Sequence, residues 1–227
     1  MKLRILVGSL LVWGSFPGWA MPGIGALALS GGRSFCAFSP FLNRSEKIEE
    51  SASFQVKKGD RKADAEQLAR ALDYFSSEKF HECLVLLQPL NRRYKLNPRY
   101  RAYLAVCLYY EWEYAEAIRL FDEVIPLLQV LAPHELSLYY WMDAESYFAL
   151  QQYDRALPLY EKMLPLCRDN EKPDAYYRMG FCHLFAEERK KAKECFELSL
   201  EGYLKYRNTP KEKARIAQIR HMIGGLK

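Results

Sequence analysis

The sequence of 227 residues lacks the features that identify several large classes of protein. Its six cysteines are far fewer than a disulfide-stabilised small domain contains, and no pair of them has the spacing of a zinc or redox motif. Lys and Arg exceed Asp and Glu by only five, which is too small an excess to predict nucleic-acid binding. The apolar run Ile5–Trp13 is too short to cross a bilayer, which takes roughly 20 apolar residues. A disulfide scaffold, a nucleic-acid-binding protein and a polytopic membrane protein are therefore disfavoured.

Catalytic and cofactor motifs are also missing from the sequence. There is no Gly-rich phosphate loop, no nucleophile elbow and no His-Glu-x-x-His motif, and the four histidines are scattered along the chain. The sequence therefore predicts a protein that is not an enzyme and that has no metal site and no cofactor. An exported hydrolase remains as a minor alternative, with a site assembled from several parts of the chain.

The N-terminal residues have the order of a secretory signal peptide. A short basic start precedes the apolar run Ile5–Trp13, and small residues then follow a proline in 17–20. A signal over residues 1–20 is predicted on this basis. Because no charge interrupts residues 5–29, an uncleaved membrane anchor there stays open. Both alternatives predict that the rest of the chain is exported, to the periplasm or the extracellular space.

Residues 21–60 are predicted to form a flexible tether. Gly, Ser and Pro are frequent up to Pro40, and the charged residues that follow have no lasting period. Three phenylalanines, Phe35, Phe38 and Phe41, are the large apolar side chains of this segment.

From residue 64 onward, one pattern of small and aromatic residues recurs four times. Each occurrence has two apolar stripes at helical spacing, separated by a short polar break. The small residues Cys83, Ala117, Ala156 and Ala192 of the second stripes are 34, 39 and 36 residues apart. Small residues of the two stripes are expected to face each other where paired helices approach, and rings are expected to fill the space toward the next pair. The predicted inter-helix core consists of Ala117, Phe121, Ala144, Ala156, Tyr160, Gly180, Ala192 and Phe196.

This pattern resembles the tetratricopeptide repeat, in which a bulky ring, Leu-Gly, Tyr, then Ala, a ring and Ala recur over 34 residues. The resemblance implies an all-α fold: a right-handed superhelical array of antiparallel helix pairs whose neighbours share one core. The implied units are four repeats, at 64–97, 98–134, 137–172 and 173–206, followed by a capping helix at 209–224.

Several details depart from the family pattern. No repeat has Gly in the turn between its helices, and four prolines in or near second helices are expected to kink or end them. The extra residues between the second and third repeats are expected to lengthen a second helix around Gln129–Leu131. Four cysteines at core-type positions are predicted to be buried thiols, although a disulfide stays open.

The resemblance also implies that the first helix of each repeat lines a concave face. On that face the sequence places a predicted groove of aromatic side chains, with Glu145 as its one acid. The predicted groove residues are Tyr109, Trp141, Phe148, Tyr177 and Phe181. Such a groove would bind a protein or peptide with an apolar helical or extended segment. The alternatives are that these rings belong to the core or that residues 35–60 cover them.

The function expected from these features is that of an exported, non-catalytic scaffold or adaptor for protein–protein interaction. The main alternative is a cytosolic, secretion-type chaperone built from the same repeats. Between Tyr203 and Lys227, seven basic residues stand against one acid, which predicts either a solvated outer face or weak contact with an anionic surface. No nucleic-acid partner is expected.

Overall fold

The computed structural model describes residues 60–226, so the predicted signal or anchor and nearly all of the predicted tether lie outside the described residues. Over this range the chain forms nine α-helices and no strand. The helices are α1 (Asp60–Ser76), α2 (Phe80–Arg93), α3 (Pro98–Tyr110), α4 (Tyr114–Val124), α5 (Pro133–Ala149), α6 (Tyr153–Met163), α7 (Lys172–Phe185), α8 (Arg189–Tyr206) and α9 (Lys213–Gly225). Two short 3-10 helices, Ile125–Leu127 and Pro210–Glu212, lie in the connections. None of the described helices is long and apolar enough to span a membrane.

The helices form successive pairs, and each helix packs mainly on its neighbours along the chain. The pairs are α1/α2, α3/α4, α5/α6 and α7/α8, and α9 packs on the last of them. The first helices α3 and α5 also touch each other directly. The predicted fold class is confirmed: the chain is an all-α, tetratricopeptide-like solenoid with a C-terminal capping helix.

The turns between paired helices share one backbone conformation. A residue with positive φ stands in each of them: Glu78, Trp112, Gln151 and Glu187, with φ of 58°, 64°, 60° and 62°. In the second turn, the amide of Trp112 donates to the Tyr109 carbonyl at 3.1 Å, and the amide of Glu113 donates to the Leu108 carbonyl at 2.9 Å. These two hydrogen bonds are those of a Schellman cap, which normally has Gly at the left-handed position. The same turn therefore forms in all four repeats without its usual residue.

The eight residues predicted for the inter-helix core are all buried. Seven of its eight members have no exposed surface, and the eighth, Gly180, is also buried. Gly180 allows the closest approach, because a Cβ atom there would lie 2.6 Å from the ring of Phe196. The close contact between α7 and α8 therefore depends on the missing side chain.

The connection between the second and third repeats differs from the prediction. Helix α4 ends at Val124, and the expected lengthening around Gln129–Leu131 does not occur. Pro126 lies in the 3-10 turn that follows, where its lack of an N–H group stops an α-helix from continuing. The additional residues form an irregular connection instead. In contrast, Pro89 and Pro158 lie inside α2 and α6 without ending them.

The capping helix α9 closes the last repeat. Its Ile216 and Ile219 are buried in one cluster with Phe196 and Tyr203. The guanidinium of Arg207 bonds to both Asp174 and Glu212, which ties α7 to the start of the cap. The C-terminal end of the array is thus covered by apolar contacts and by a buried charge network.

Candidate functional site

An exposed cluster of rings lies at the turn ends of α5, α6 and α7. We call it the ring surface, and its members are Phe148, Tyr153, Phe181 and Phe185. The ring of Tyr153 stacks on that of Phe185 with centroids 4.4 Å apart, and meets Phe148 edge-on at 5.0 Å. Phe181 stacks on Phe185 at 6.1 Å. Phe185 is 52% exposed although it is a large apolar side chain, and the others are half-buried.

A buried ion pair supports this surface from below. Arg178 of α7 donates to Glu145 of α5 at 2.6 Å, and the hydroxyl of Tyr160 donates to the other oxygen of Glu145 at 2.5 Å. The guanidinium of Arg178 also lies 4.6 Å from the ring centre of Phe148. Burial by itself disfavours the charged form of Arg178, but the Glu145 carboxylate keeps its pKa above the usual value. Arg178 therefore remains charged, and its hydrogen bond to Glu145 fixes it in position.

Two members of the predicted groove lie within the packing between helices and not on an open surface. Trp141 is 3% exposed and meets the ring of Tyr160 edge-on at 5.5 Å. Tyr177 is 5% exposed, because Phe196 and the guanidinium of Arg215, 4.1 Å from its ring centre, enclose it. As buried residues, Trp141 and Tyr177 are expected to contribute to stability and not to direct contact with a partner.

Of the other three predicted groove residues, one is almost completely buried and two keep an exposed part. Tyr109 is nearly buried, and burial raises the pKa of its hydroxyl well above the usual value. Phe148 and Phe181 keep an exposed part and belong to the ring surface. The most exposed member, Phe185, and its stacking partner Tyr153 were not among the predicted groove residues.

A sequence signal for the missed rings exists in the repeat register. Phe80, Tyr114 and Tyr153 each begin a second helix two residues after the left-handed turn residue. Each meets a ring near the end of its own first helix, in the pairs Phe75–Phe80, Tyr109–Tyr114 and Phe148–Tyr153, at 5.9, 5.9 and 5.0 Å. Aromatic residues at this recurring position therefore indicate a row of rings along the turn edge of the array.

A second unusual group, Asp143, lies inside the fold. It is 1% exposed, and neither of its carboxylate oxygens has a hydrogen-bond partner among the described residues. Burial, and next the nearby Asp122 carboxylate, raise its pKa to about 8. In the repeat register Asp143 takes the place of Leu104 and Met179, which are apolar core residues. Asp143 is thus a buried acid in an apolar position of the repeat.

The fold and the ring surface define a tetratricopeptide-like helical-repeat protein with an exposed aromatic site. Among solved structures, the chain is similar to MamA of strain AMB-1, with 14% identity over 73% of this chain and 85% of that chain and a TM-score of 0.58. It is also similar to MamA from Desulfovibrio magneticus RS-1, with 16% identity over 72% and 92% of the two chains and a TM-score of 0.51. The type III secretion translocator chaperone SycD of Yersinia enterocolitica matches with 20% identity over 56% and 80% of the two chains and a TM-score of 0.46. At these identities the likeness shows the fold alone.

Two further comparisons found nothing. No protein-family model matches the chain, and no curated protein matches it.

Proposed function

We propose that the protein is a non-catalytic interaction adaptor that binds an apolar segment of a partner polypeptide on the ring surface. The observation that carries this proposal is the exposure of Phe185, a large ring held in place by stacking on Tyr153 and Phe181. Exposed aromatic clusters on a rigid frame are typical of protein interfaces, where aromatic side chains are common anchors.

The geometry of the rings favours binding. Because Tyr153 and Phe185 already stack on each other, a partner that covers them immobilises few additional side-chain rotations. Arg178, a cation beneath the surface, is already paired with Glu145, so an apolar partner does not have to desolvate this charge unpaired. An apolar helix or extended strand of the partner fits both conditions.

The binding test compares the full chain with its Phe185→Ala variant in capture of partners by the immobilised protein. Loss of the exposed ring is expected to weaken capture by about 1–3 kcal/mol, since truncation of an interface anchor typically has this cost. Leu198→Ala is the matched control, because Leu198 is also an exposed apolar residue but lies on α8. Capture that Phe185→Ala and Leu198→Ala leave equally unchanged would contradict the proposal.

Export is a further part of the proposal and rests on the N-terminal sequence alone. The test is to determine the mature N-terminus by mass spectrometry and to locate the protein by cell fractionation. Cleavage near residue 20, or a membrane-bound product with a periplasmic or extracellular body, would agree with export. Retention of Met1 on a soluble cytoplasmic protein would instead favour the secretion-type chaperone.

Weak contact of the basic C-terminus with an anionic surface is the last part of the proposal. Two of the seven basic residues have roles within the fold, since Arg207 is held in ion pairs and Arg215 lies over Tyr177. The exposed Lys205, Lys213 and Arg220 remain for such a contact. Binding to anionic vesicles should then weaken steeply with salt.

A further inference from the structure

Rings of successive repeats stack on one another along the turn edge. Phe80, the first residue of α2, stacks on Tyr110, the last residue of α3, with centroids 3.9 Å apart and ring planes within 1°. Tyr153, the first residue of α6, stacks on Phe185, the last residue of α7, at 4.4 Å and 23°. These are equivalent positions, two residues after and two residues before the left-handed turn residues. The array thus repeats one ring-on-ring contact between neighbouring repeats.

At the junction between the second and third repeats, only one of the two rings is present. Tyr114, the first residue of α4, occupies the position of Phe80 and Tyr153. The residue in register opposite it is Ala149, the last residue of α5, which has no ring. Among the described residues Tyr114 has one ring neighbour, Tyr109, whose plane is tilted by 60° at 5.9 Å. Tyr114 and Ala149 are both partly exposed.

Three glutamates lie within three residues of Tyr114 along the chain. Glu111, Glu113 and Glu116 belong to the same turn and to the first turn of α4. His81 bonds to Glu111 at 2.9 Å, and Arg119 comes no closer than 4.0 Å to Glu116. Arg178, which also acts on Tyr114 electrostatically, is already paired with Glu145. A basic side chain of a partner could therefore pair with these glutamates, which flank the partly exposed Tyr114 in the sequence.

From this register and this charge we infer that the place beside Ala149, on the face of Tyr114, receives an aromatic side chain of the partner polypeptide, flanked by Lys or Arg. The partner's ring completes the row that Tyr110 and Phe185 form in the junctions on either side. Its basic neighbours contact the carboxylates of the second turn. This inference rests on the proposed function, since it names the chemistry of the segment that the adaptor binds.

Short synthetic peptides test the inference directly. They share one frame of alternating Lys and Ser and differ in a central Trp, Leu or Ala, and a further Trp peptide has Glu in place of Lys. Fluorescence anisotropy with the full chain should show binding of the Trp–Lys peptide about tenfold tighter than that of the Ala–Lys peptide, as expected for a well-packed ring pair. The Trp–Glu peptide should bind more weakly than the Trp–Lys peptide, and its deficit should shrink as salt is added. Equal binding of the Trp–Lys and Ala–Lys peptides, or no binding of any peptide, would overturn the inference.

Variants of the site itself provide the second arm. Ala149→Phe supplies the missing ring from within the chain, so it should lower affinity for the Trp–Lys peptide about tenfold while the melting temperature does not fall. Ala217→Phe adds the same ring at an exposed alanine of α9 and should leave affinity unchanged. If Ala149→Phe does not fold, Tyr114→Leu replaces it: loss of the stacking face should abolish the preference for Trp over Leu peptides.

The outcomes separate this inference from the proposed function. If Phe185→Ala weakens partner capture but Ala149→Phe binds the Trp–Lys peptide as well as the unaltered chain does, the adaptor function stands and the inference fails. If Ala149→Phe blocks the peptide but Phe185→Ala leaves partner capture intact, the inference stands and the ring surface is not the binding site.

Discussion

Asp143 shows how a single residue can set the pH dependence of the whole fold. Its pKa rises from an ordinary value near 3.8 to about 8 in the folded state, because burial disfavours the carboxylate. The folded chain therefore holds this proton more tightly than the unfolded chain does. The stabilisation is present below the unfolded pKa and is lost as pH rises through the folded pKa.

We expect the free energy of unfolding to fall between about pH 4 and pH 8, by on the order of a few kcal/mol. Asp143→Leu removes the titrating group and restores the apolar residue of the register, so it should raise stability at pH 8 and flatten the pH profile. Urea denaturation over a pH series measures both effects. Asp154→Asn, at an exposed acid of α6, is the control. A wild-type profile that is flat in this window would show that Asp143 has a partner when the protein is in solution.

Gly180 is the residue on which the α7/α8 contact depends. Gly180→Ala places a methyl group against the ring of Phe196, so we expect it to lower the free energy of unfolding by about 1–3 kcal/mol. Gly224→Ala is the matched control, because a Cβ atom there meets no atom within 4 Å. The control should be neutral or slightly stabilising, since Ala is the better helix former. Equal melting temperatures for the two variants would mean that the helices separate easily at this crossing.

At the scale of the helix and its turn, the four Schellman caps are the recurring unit. Because these turns lack Gly, the sequence did not indicate the caps. Each of the four turns nevertheless forms one. The hydrogen bonds of the cap and the packing of the flanking helices outweigh the cost of a left-handed residue, which is roughly 1 kcal/mol. Gln151 is the simplest example of a left-handed residue held by its surroundings. The next residue, Gln152, is of the same type but has an ordinary φ of −92°.

Gln151→Gly should therefore raise the free energy of unfolding by about 0.5–1 kcal/mol, because Gly adopts positive φ without strain. Gln152→Gly, one residue further on, should lower it, since Gly there only adds freedom to the unfolded chain. Thermal or chemical denaturation of the two variants gives the comparison. Opposite signs are expected, and the same sign for both would refute the left-handed turn.

For the whole molecule, stability is approximately a sum of the repeats' own terms and of the contacts between neighbouring repeats, and the last repeat needs a cap over its apolar side. The capping helix contributes Ile216 and Ile219 to the cluster that also buries Tyr177 and Phe196. Without these contacts, the apolar side of the last repeat would face water.

Ile219→Ala should cost about 2–5 kcal/mol, as removal of a fully buried Ile does in other cores. Because the array is nearly one-dimensional, the loss should appear first at the C-terminal end. Amide hydrogen exchange should increase in α7 and α8 well before it increases in α2 and α3. Gln218→Ala, at an exposed position of the same helix, serves as the control. Uniform loss of protection along the chain would show that the repeats unfold as one unit.

The all-α class and the helical-repeat fold were open to prediction from the sequence. Small residues at Ala117, Ala156 and Ala192 recur because helices approach closely there, and such a constraint leaves a periodic trace in the chain. The connection after Val124 was not predicted correctly, because spacing alone does not distinguish a longer helix from an irregular segment. Pro126 was the one residue that indicated an end of the helix there.

The sequence by itself determined that this chain is a stack of helix pairs, since that follows from local periodicity. Only the tertiary structure decided which rings are open to a partner. Tyr177 and Phe185 are aromatic residues of the same helix, α7. Arg215 of helix α9 covers Tyr177, whereas Phe185 remains half exposed beside Tyr153. The exposure of a ring depends on which side chains of other helices pack against it, and the pattern of the sequence does not show that packing.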